Sequence, residues 1–279
     1  MLNAADLSVE IPRLAASLPP FPRVVQQLLT LLRDDDLSIE ALARVARNDP
    51  VIAGQMLSVA NHVRRLRLQP DLTDPFAAAS LIGLNRVRNI VISAGMNRFV
   101  QMASGKIPFF YAHSLAVAII AQELALLHDL SPEDAYIAGI LHDVGQLCFH
   151  VLDAEAYRGV CEQAARDGRL IEHEAACFGY HHSLIGCLLA EHWHLPESVL
   201  RAIATHHDDG EPENRMQAVV MMAETLSRAL DLPPSPNNRV THLNTQARDL
   251  LGIDFHAPAM QDCLGRCRAR FRHAVQVVT

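Results

Sequence analysis

The chain has 279 residues, half of them apolar, 5% aromatic, and a formal net charge of −7. That is enough apolar residue for a sizeable core of Leu, Ala, Val and Ile, and enough length for two lobes. The acidic balance argues against a general nucleic-acid or membrane-surface binder, and no unbroken apolar run approaches the roughly 18–20 residues of a bilayer span.

Helix start and stop signals recur throughout and strand-like alternation is rare, so the pattern predicts an all-α fold. After Leu18-Pro-Pro-Phe-Pro22, residues 24–32 carry apolar positions at helical spacing, and Ser38 can cap a helix running to about residue 46. Asp49-Pro50 joins a capping side chain to a proline at the first helical position, opening a helix to about residue 61. Asp74-Pro75 repeats the device ahead of 76–82, and Gly83 separates that helix from the next, 85–100. The stretch 102–108, with Gly105 and Pro108, is expected to be a hinge between an N-terminal lobe (1–106) and a second lobe (107–279). A long helix follows over 109–128. Ser131-Pro-Glu-Asp134 combines a cap, a first-position proline and acidic first-turn residues, opening a helix that carries His142-Asp143. Further helices are expected over 154–167, 171–178, 183–193, 197–206, 216–230, 242–251 and 259–277, with 232–238 as a loop.

Six cysteines (Cys148, Cys161, Cys177, Cys187, Cys263 and Cys267) are scattered, and the N-terminus lacks the pattern of an export signal. The expected compartment is the cytoplasm, without a disulfide framework. Cys263 and Cys267 can share a helix face, where ordinary packing is favoured over a metal-binding pair.

Chemistry concentrates between residues 113 and 207. His113, His142-Asp143, His182 and His206-His207 supply imidazoles and a carboxylate, the side chains that hold borderline first-row metals able to activate water. Asp143 lies amid Ala138-Gly-Ile-Leu and Val144-Gly145, where a charge is costly unless it is paired or metal-bound. The dipeptide alone says little, because His128-Asp129 repeats it at a helix end. Two antiparallel helices would bring His113 to His142-Asp143, while His182 and His206-His207 stand at helix ends, where several elements can converge. Capping of a helix C-terminus is the competing reading for His206-His207. For His192 and His194, flanking Trp193, capping is favoured more strongly, and His150, His173, His242, His256 and His273 read as surface or packing residues. Arg64, Arg65, Arg67, Arg86 and Arg88 read mainly as solvated surface.

Several motifs in order resemble the HDOD family, the regulatory branch of the HD-domain superfamily, from about residue 18 to about residue 230. They are Leu18-Pro-Pro-Phe-Pro22, Arg47-Asn-Asp-Pro50 leading into Leu57-Ser-Val-Ala-Asn61, Ile82-Gly-Leu-Asn-Arg-Val-Arg-Asn89, Ala112-His-Ser114 and Gly139-Ile-Leu-His-Asp-Val-Gly145. His182 to Gly186, Trp193-His-Leu-Pro196 and Ile203-Ala-Thr-His-His207 complete the set. The resemblance implies an all-α, two-lobed protein with an HD-like second lobe. It matches His113, His142 and Asp143 to the first three metal ligands of that superfamily. His182, His206 and His207 match the additional histidines of dinuclear, cyclic-dinucleotide-cleaving relatives. The implied cofactor is one or two divalent ions, of Fe, Mn, Zn, Ni or Mg.

Three departures accompany the match. Glu224 stands where a late aspartate ligand is expected, Gln146 stands where active relatives commonly carry lysine, and no Gly-Tyr-Pro follows His206-His207. They point to a regulatory, partner-binding signalling module with little or no hydrolase activity, and no catalytic residue is assigned. Its expected partners are signalling proteins on separate chains, and its expected ligand a nucleotide or cyclic dinucleotide, without membrane or nucleic acid. The alternative is an active metal-dependent phosphohydrolase or phosphodiesterase.

Overall fold

A computed structural model describes residues 11–16, 27, 39–41, 49–104, 109–208, 210–233, 240 and 243–278. The expectations for 24–32 and 38–46 fall almost wholly outside these residues; those for 105–108, 234–238 and His242 fall wholly outside. Among the described residues there is no strand, and the chain is all-α. It divides into two compact units, Pro20–Phe99 with Gln276–Thr279, and Met1–Pro19 with Val100–Val275.

The first of these units contains α1 (Pro50–Leu66), α2 (Pro75–Ile82) and most of α3 (Leu84–Ser104). Asp49 caps α1, accepting from the backbone N–H groups of Val51 and Ile52 at 3.0 and 3.3 Å. It also accepts from the Arg98 guanidinium on α3, at 2.8 Å from Nη2 to Oδ1. Asp74 caps α2 in the same way. Helix α1 runs five residues past its expected end, with Arg64 and Arg65 in the last turn, where positive charge suits the helix dipole. Arg65 is paired with Asp71 at 2.5 Å, so this part of the arginine group is partly neutralised locally.

The larger unit contains the helical residues 11–16 and, from Phe110 onward, ten further helices. In chain order they are α4 (Phe110–Leu127), α5 (Pro132–Leu141), α6 (Gly145–Leu152), α7 (Ala154–Asp167) and α8 (Leu170–Phe178). Then come α9 (His182–His192), α10 (Glu197–Thr205), α11 (Arg215–Ala229), α12 (Thr245–Leu251) and α13 (Pro258–Val278). Helix α4 is buried without interruption from Ser114 to Ala125 and packs on α5 and α11; α10 joins α5, α9 and α11. A helix apolar all round belongs in a core. Although no apolar run is unbroken, two stretches, Phe110–Leu127 and Pro132–Leu152, are by length and mean hydropathy apolar enough to cross a bilayer. Of the most apolar 18 residues in each, 72% and 78% are buried within this fold, where they act as core helices.

A second departure concerns His142-Asp143. Residues 142–144 form a turn that separates α5 from α6, rather than lying inside one continuous helix. Shorter-range bonds, Val144 N–H to Leu141 O and Gln146 N–H to Asp143 O, both at 2.9 Å, close that turn.

Glu123, buried on α4, receives Arg266 Nε at 2.7 Å and Arg270 Nη1 at 2.6 Å from α13. Burial pushes its carboxyl up, but the two guanidinium groups more than offset that and hold it below its ordinary 4.5. A depressed carboxylate contributes stability that is present above the unfolded value and lost as pH falls through the folded one. Because Arg266 is half exposed, Glu123→Gln is expected to cost only about 1–2 kcal/mol at pH 7. Urea midpoints taken at pH 7 and pH 3 check this, since the gap between wild type and variant should narrow on acidification.

Candidate metal centre

Five helices and one turn of the larger unit each deliver a part of the site. His113 stands in the first turn of α4, His142 ends α5, and Asp143 occupies the turn before α6. His182 opens α9, with its neighbour His181 as the N-cap. His206 and His207 follow the end of α10, and Glu224 projects from α11. All seven residues singled out in the sequence meet in one cluster. His142 and His182 are fully buried, and Asp143, His206 and Glu224 nearly so.

Asp143 is the shared centre. Its Oδ2 lies 3.2 Å from His142 Nε2 and 3.6 Å from His113 Nε2, while its Oδ1 lies 3.1 Å from His182 Nε2 and 3.5 Å from His206 Nε2. Glu224 joins the first pair, with Oε2 at 3.0 Å from His113 Nε2 and 3.4 Å from His142 Nε2. The longer glutamate side chain therefore reaches the position for which the sequence suggested an aspartate. Two groups result, His113–His142–Asp143 and Asp143–His182–His206–His207, each with donor atoms within 4.8 Å of one another. Ligands on one ion at about 2.0–2.2 Å lie at most roughly 4.4 Å apart, so a small contraction suffices. Among the described residues, no other histidine enters either group.

The hydrogen bonds around the cluster set the direction of its lone pairs. His142 Nδ1 lies 2.7 Å from Gly139 O, and His206 Nδ1 lies 2.7 Å from Ile203 O. A carbonyl only accepts, so in both rings Nδ1 carries the proton and a neutral ring turns its Nε2 lone pair inward. His182 Nδ1 lies 2.7 Å from a Glu174 carboxylate oxygen, which has the same effect. His182 Nε2 and His206 Nε2 then face each other at 3.3 Å. Two lone pairs at that separation need a cation between them. His142 Nε2, Asp143 Oδ1 and Glu224 Oε2 are buried without a hydrogen-bond partner, as expected of atoms that point at an ion.

The charges agree. Burial works against the charged form of His142, but Asp143 and Glu224 outweigh it and carry the ring up to about 10. Burial likewise opposes the charge on His182, and Asp143 and Glu174 carry that ring up to about 9. His207 is driven well below its ordinary range by burial and by its neighbours His206 and His182. Burial pushes Asp143 and Glu224 upward, yet His142 in one case, and His113 and Arg228 in the other, hold them well below the carboxylate range. Such a centre attracts positive charge. A divalent ion would satisfy it with all the rings neutral, and the donor set of imidazoles and carboxylates suits Zn, Mn, Fe or Ni.

A pocket of about 380 Å³ opens beside the cluster, lined by Leu170, Ile171, His206, His207, Glu224 and Arg228, among others. Arg228 bonds Glu224 Oε1 at 2.9 Å from Nε, leaving Oε2 for the centre. Sequence reasoning missed both Arg228 and Glu174. The first carries a usable signal, a cation four residues after an acidic group on one helix. The second is visible only as a carboxylate two residues after Glu172 and beside apolar Ala175 and Ala176.

The close approach of α6 to α9 depends on Gly145, where an added Cβ would lie 2.1 Å from His182 O. Gly145→Ala must push the Asp143 turn away from His182. We expect a loss of about 1–3 kcal/mol in denaturant stability, together with weaker metal uptake measured by equilibrium dialysis. Uptake equal to wild type would show that the two elements need not touch.

The fold matches that of an HDOD domain protein of unknown function from Geobacter sulfurreducens, with a TM-score of 0.72 and 24% identity over 96% of this chain and 98% of that one. It also matches a protein from Shewanella amazonensis SB2B described as a candidate phosphohydrolase, with a TM-score of 0.69 and 24% identity over 93% of each chain. At such identity these likenesses establish the fold. In sequence, the chain is 31% identical over 147 residues to Ribonuclease Y of Acholeplasma laidlawii (strain PG-8A), covering 51% of this chain. The chain spans only 23% of that relative's length and 41% of another curated relative's. The HDOD domain family itself matches residues 18–209, well over half of the sequence. The chain belongs to the HDOD domain family.

Proposed function

We propose that this HDOD protein is a regulatory, metal-binding module whose centre holds one or two divalent ions on His113, His142, Asp143, Glu224, His182, His206 and His207. The observation that carries this reading is the inward aim of the ring nitrogens around one shared carboxylate, with three Nδ1 atoms tied back at 2.7 Å. When bound, the ion would act as a Lewis acid toward a phosphate oxygen or water. The chain's own part is to position the donors, and to offer the pocket beside His206, His207 and Arg228 to a phosphate-bearing ligand, of which nucleotides and cyclic dinucleotides are the first to try. Signalling proteins on separate chains are the partners this reading expects.

Gln146 and the absence of Gly-Tyr-Pro after His206-His207 favour regulation over rapid turnover. Elemental analysis of tag-free protein tests the metal, and a turnover assay with nucleotides and cyclic dinucleotides tests the rest. Stoichiometric metal with turnover well below about 1 per second supports the regulatory reading. Faster turnover replaces it with the second reading, a working metal-dependent phosphohydrolase. That reading is favoured by the pocket beside the centre and by the likeness to Ribonuclease Y, whose name denotes RNA cleavage.

A further inference from the structure

Glu174 lies on α8, fully buried, and none of the metal-ligand assignments includes it. One of its carboxylate oxygens accepts from the backbone N–H of His182 at 2.8 Å and from His182 Nδ1 at 2.7 Å. The other accepts from the Tyr157 hydroxyl at 3.1 Å. Tyr157 is itself held in an aromatic group. Phe149 lies 5.4 Å from it between ring centroids, and stacks on Phe178 at 4.6 Å and on Tyr180 at 5.7 Å. The carboxylate is thus clamped from both sides on a rigid corner of α6, α7 and α8. A carboxylate buried to this degree is stable only where donors surround it, and here two of its three donors belong to one histidine.

We infer that Glu174 is a positioning residue for the metal centre, orienting His182 so that Nε2 faces the ion beside Asp143, with Tyr157 holding Glu174 in place. The inference rests on the metal-binding reading above. A carboxylate behind a ligating imidazole fixes the ring's tautomer and orientation and raises its basicity, and loss of such a partner lowers metal affinity about 10–100-fold. The competing role is local: the carboxylate would merely satisfy the first N–H of α9 and leave the ring indifferent.

Metal affinity separates the two roles, with Zn²⁺ and Mn²⁺ as probes in competition titrations on the full chain. Glu174→Ala and His182→Ala are each expected to weaken binding about 10–100-fold, and the double variant to lose little more than either alone. Glu174→Gln, which keeps the shape and the accepting oxygen, should recover the fold and much of the affinity. Tyr157→Phe, the safeguard should Glu174→Ala not fold, should shift affinity in the same direction by less. Additive losses, or Glu174 and Tyr157 variants that fold with wild-type affinity, overturn the inference. Wild type that binds neither ion overturns the underlying metal reading as well, and is distinguishable because it precedes any variant.

Discussion

Replacing His142 and Asp143 together by alanine is expected to reduce a stoichiometric metal load to less than about a tenth of an ion per chain. The expectation follows from the geometry of one carboxylate. Asp143 presents Oδ2 to His142 and His113, and Oδ1 to His182 and His206, so its removal dismantles both donor groups at once. It also leaves the buried imidazoles of His182 and His206 with Glu174 and Glu224 as the nearby carboxylates, and an ion entering that cluster would lose its central anion. Asp143→Asn alone keeps the shape and should weaken binding by about 100-fold or more. His113→Ala should be milder, because His113 is partly exposed and serves one group. Elemental analysis and dialysis against Zn²⁺ measure all three. Metal retained at wild-type stoichiometry by the double variant would mean that the cluster is not where the ion sits.

The second large effect concerns protons. In metal-free protein, His142 is raised to about 10 and His182 to about 9 from an ordinary 6.5. Burial pulls both rings down, and their carboxylate neighbours overcome it. A raised folded pKa contributes stability that is complete below 6.5 and is lost as pH climbs through 9 to 10. The physical event is the withdrawal of two protons that had been neutralising Asp143, Glu174 and Glu224 inside the fold. Chelated wild type should therefore melt roughly 5–10 °C lower at pH 10 than at pH 7. Metal-loaded protein keeps these rings neutral and its carboxylates compensated, so its melting temperature should change much less over the same interval. Thermal melts with and without chelator at the two pH values decide this. Parallel curves would show that the centre is not held by protons when metal is absent.

Much of this was legible in the chain itself. Asp49-Pro50, Asp74-Pro75 and Ser131-Pro132 mark helix starts because the cap and the proline act locally, and the structure places α1, α2 and α5 at those points. The candidate cluster was legible because His, Asp and Glu are few in an apolar interior, and their order between residues 113 and 224 survives any arrangement of loops. The end of α1 was misplaced because only its last-turn arginines and the following turn decide it. The turn at 142–144 was missed for a different reason. The sequence around it is apolar and helix-compatible, and what the glycine at 145 permits is contact with the backbone of His182, far along the chain.

Taken by itself, then, the sequence determined the helical class, most helix starts, and which histidines and carboxylates gather in one cluster. These depend on local propensity and on side-chain chemistry. Only the tertiary structure decided that Asp143 faces two histidine groups, that Glu224 reaches the cluster despite its extra methylene, and that Glu174 and Arg228 stand behind His182 and Glu224. Those facts depend on distances between helices that are remote in sequence. Such distances are set by packing at contacts such as Gly145 against His182, and local patterning carries no record of them.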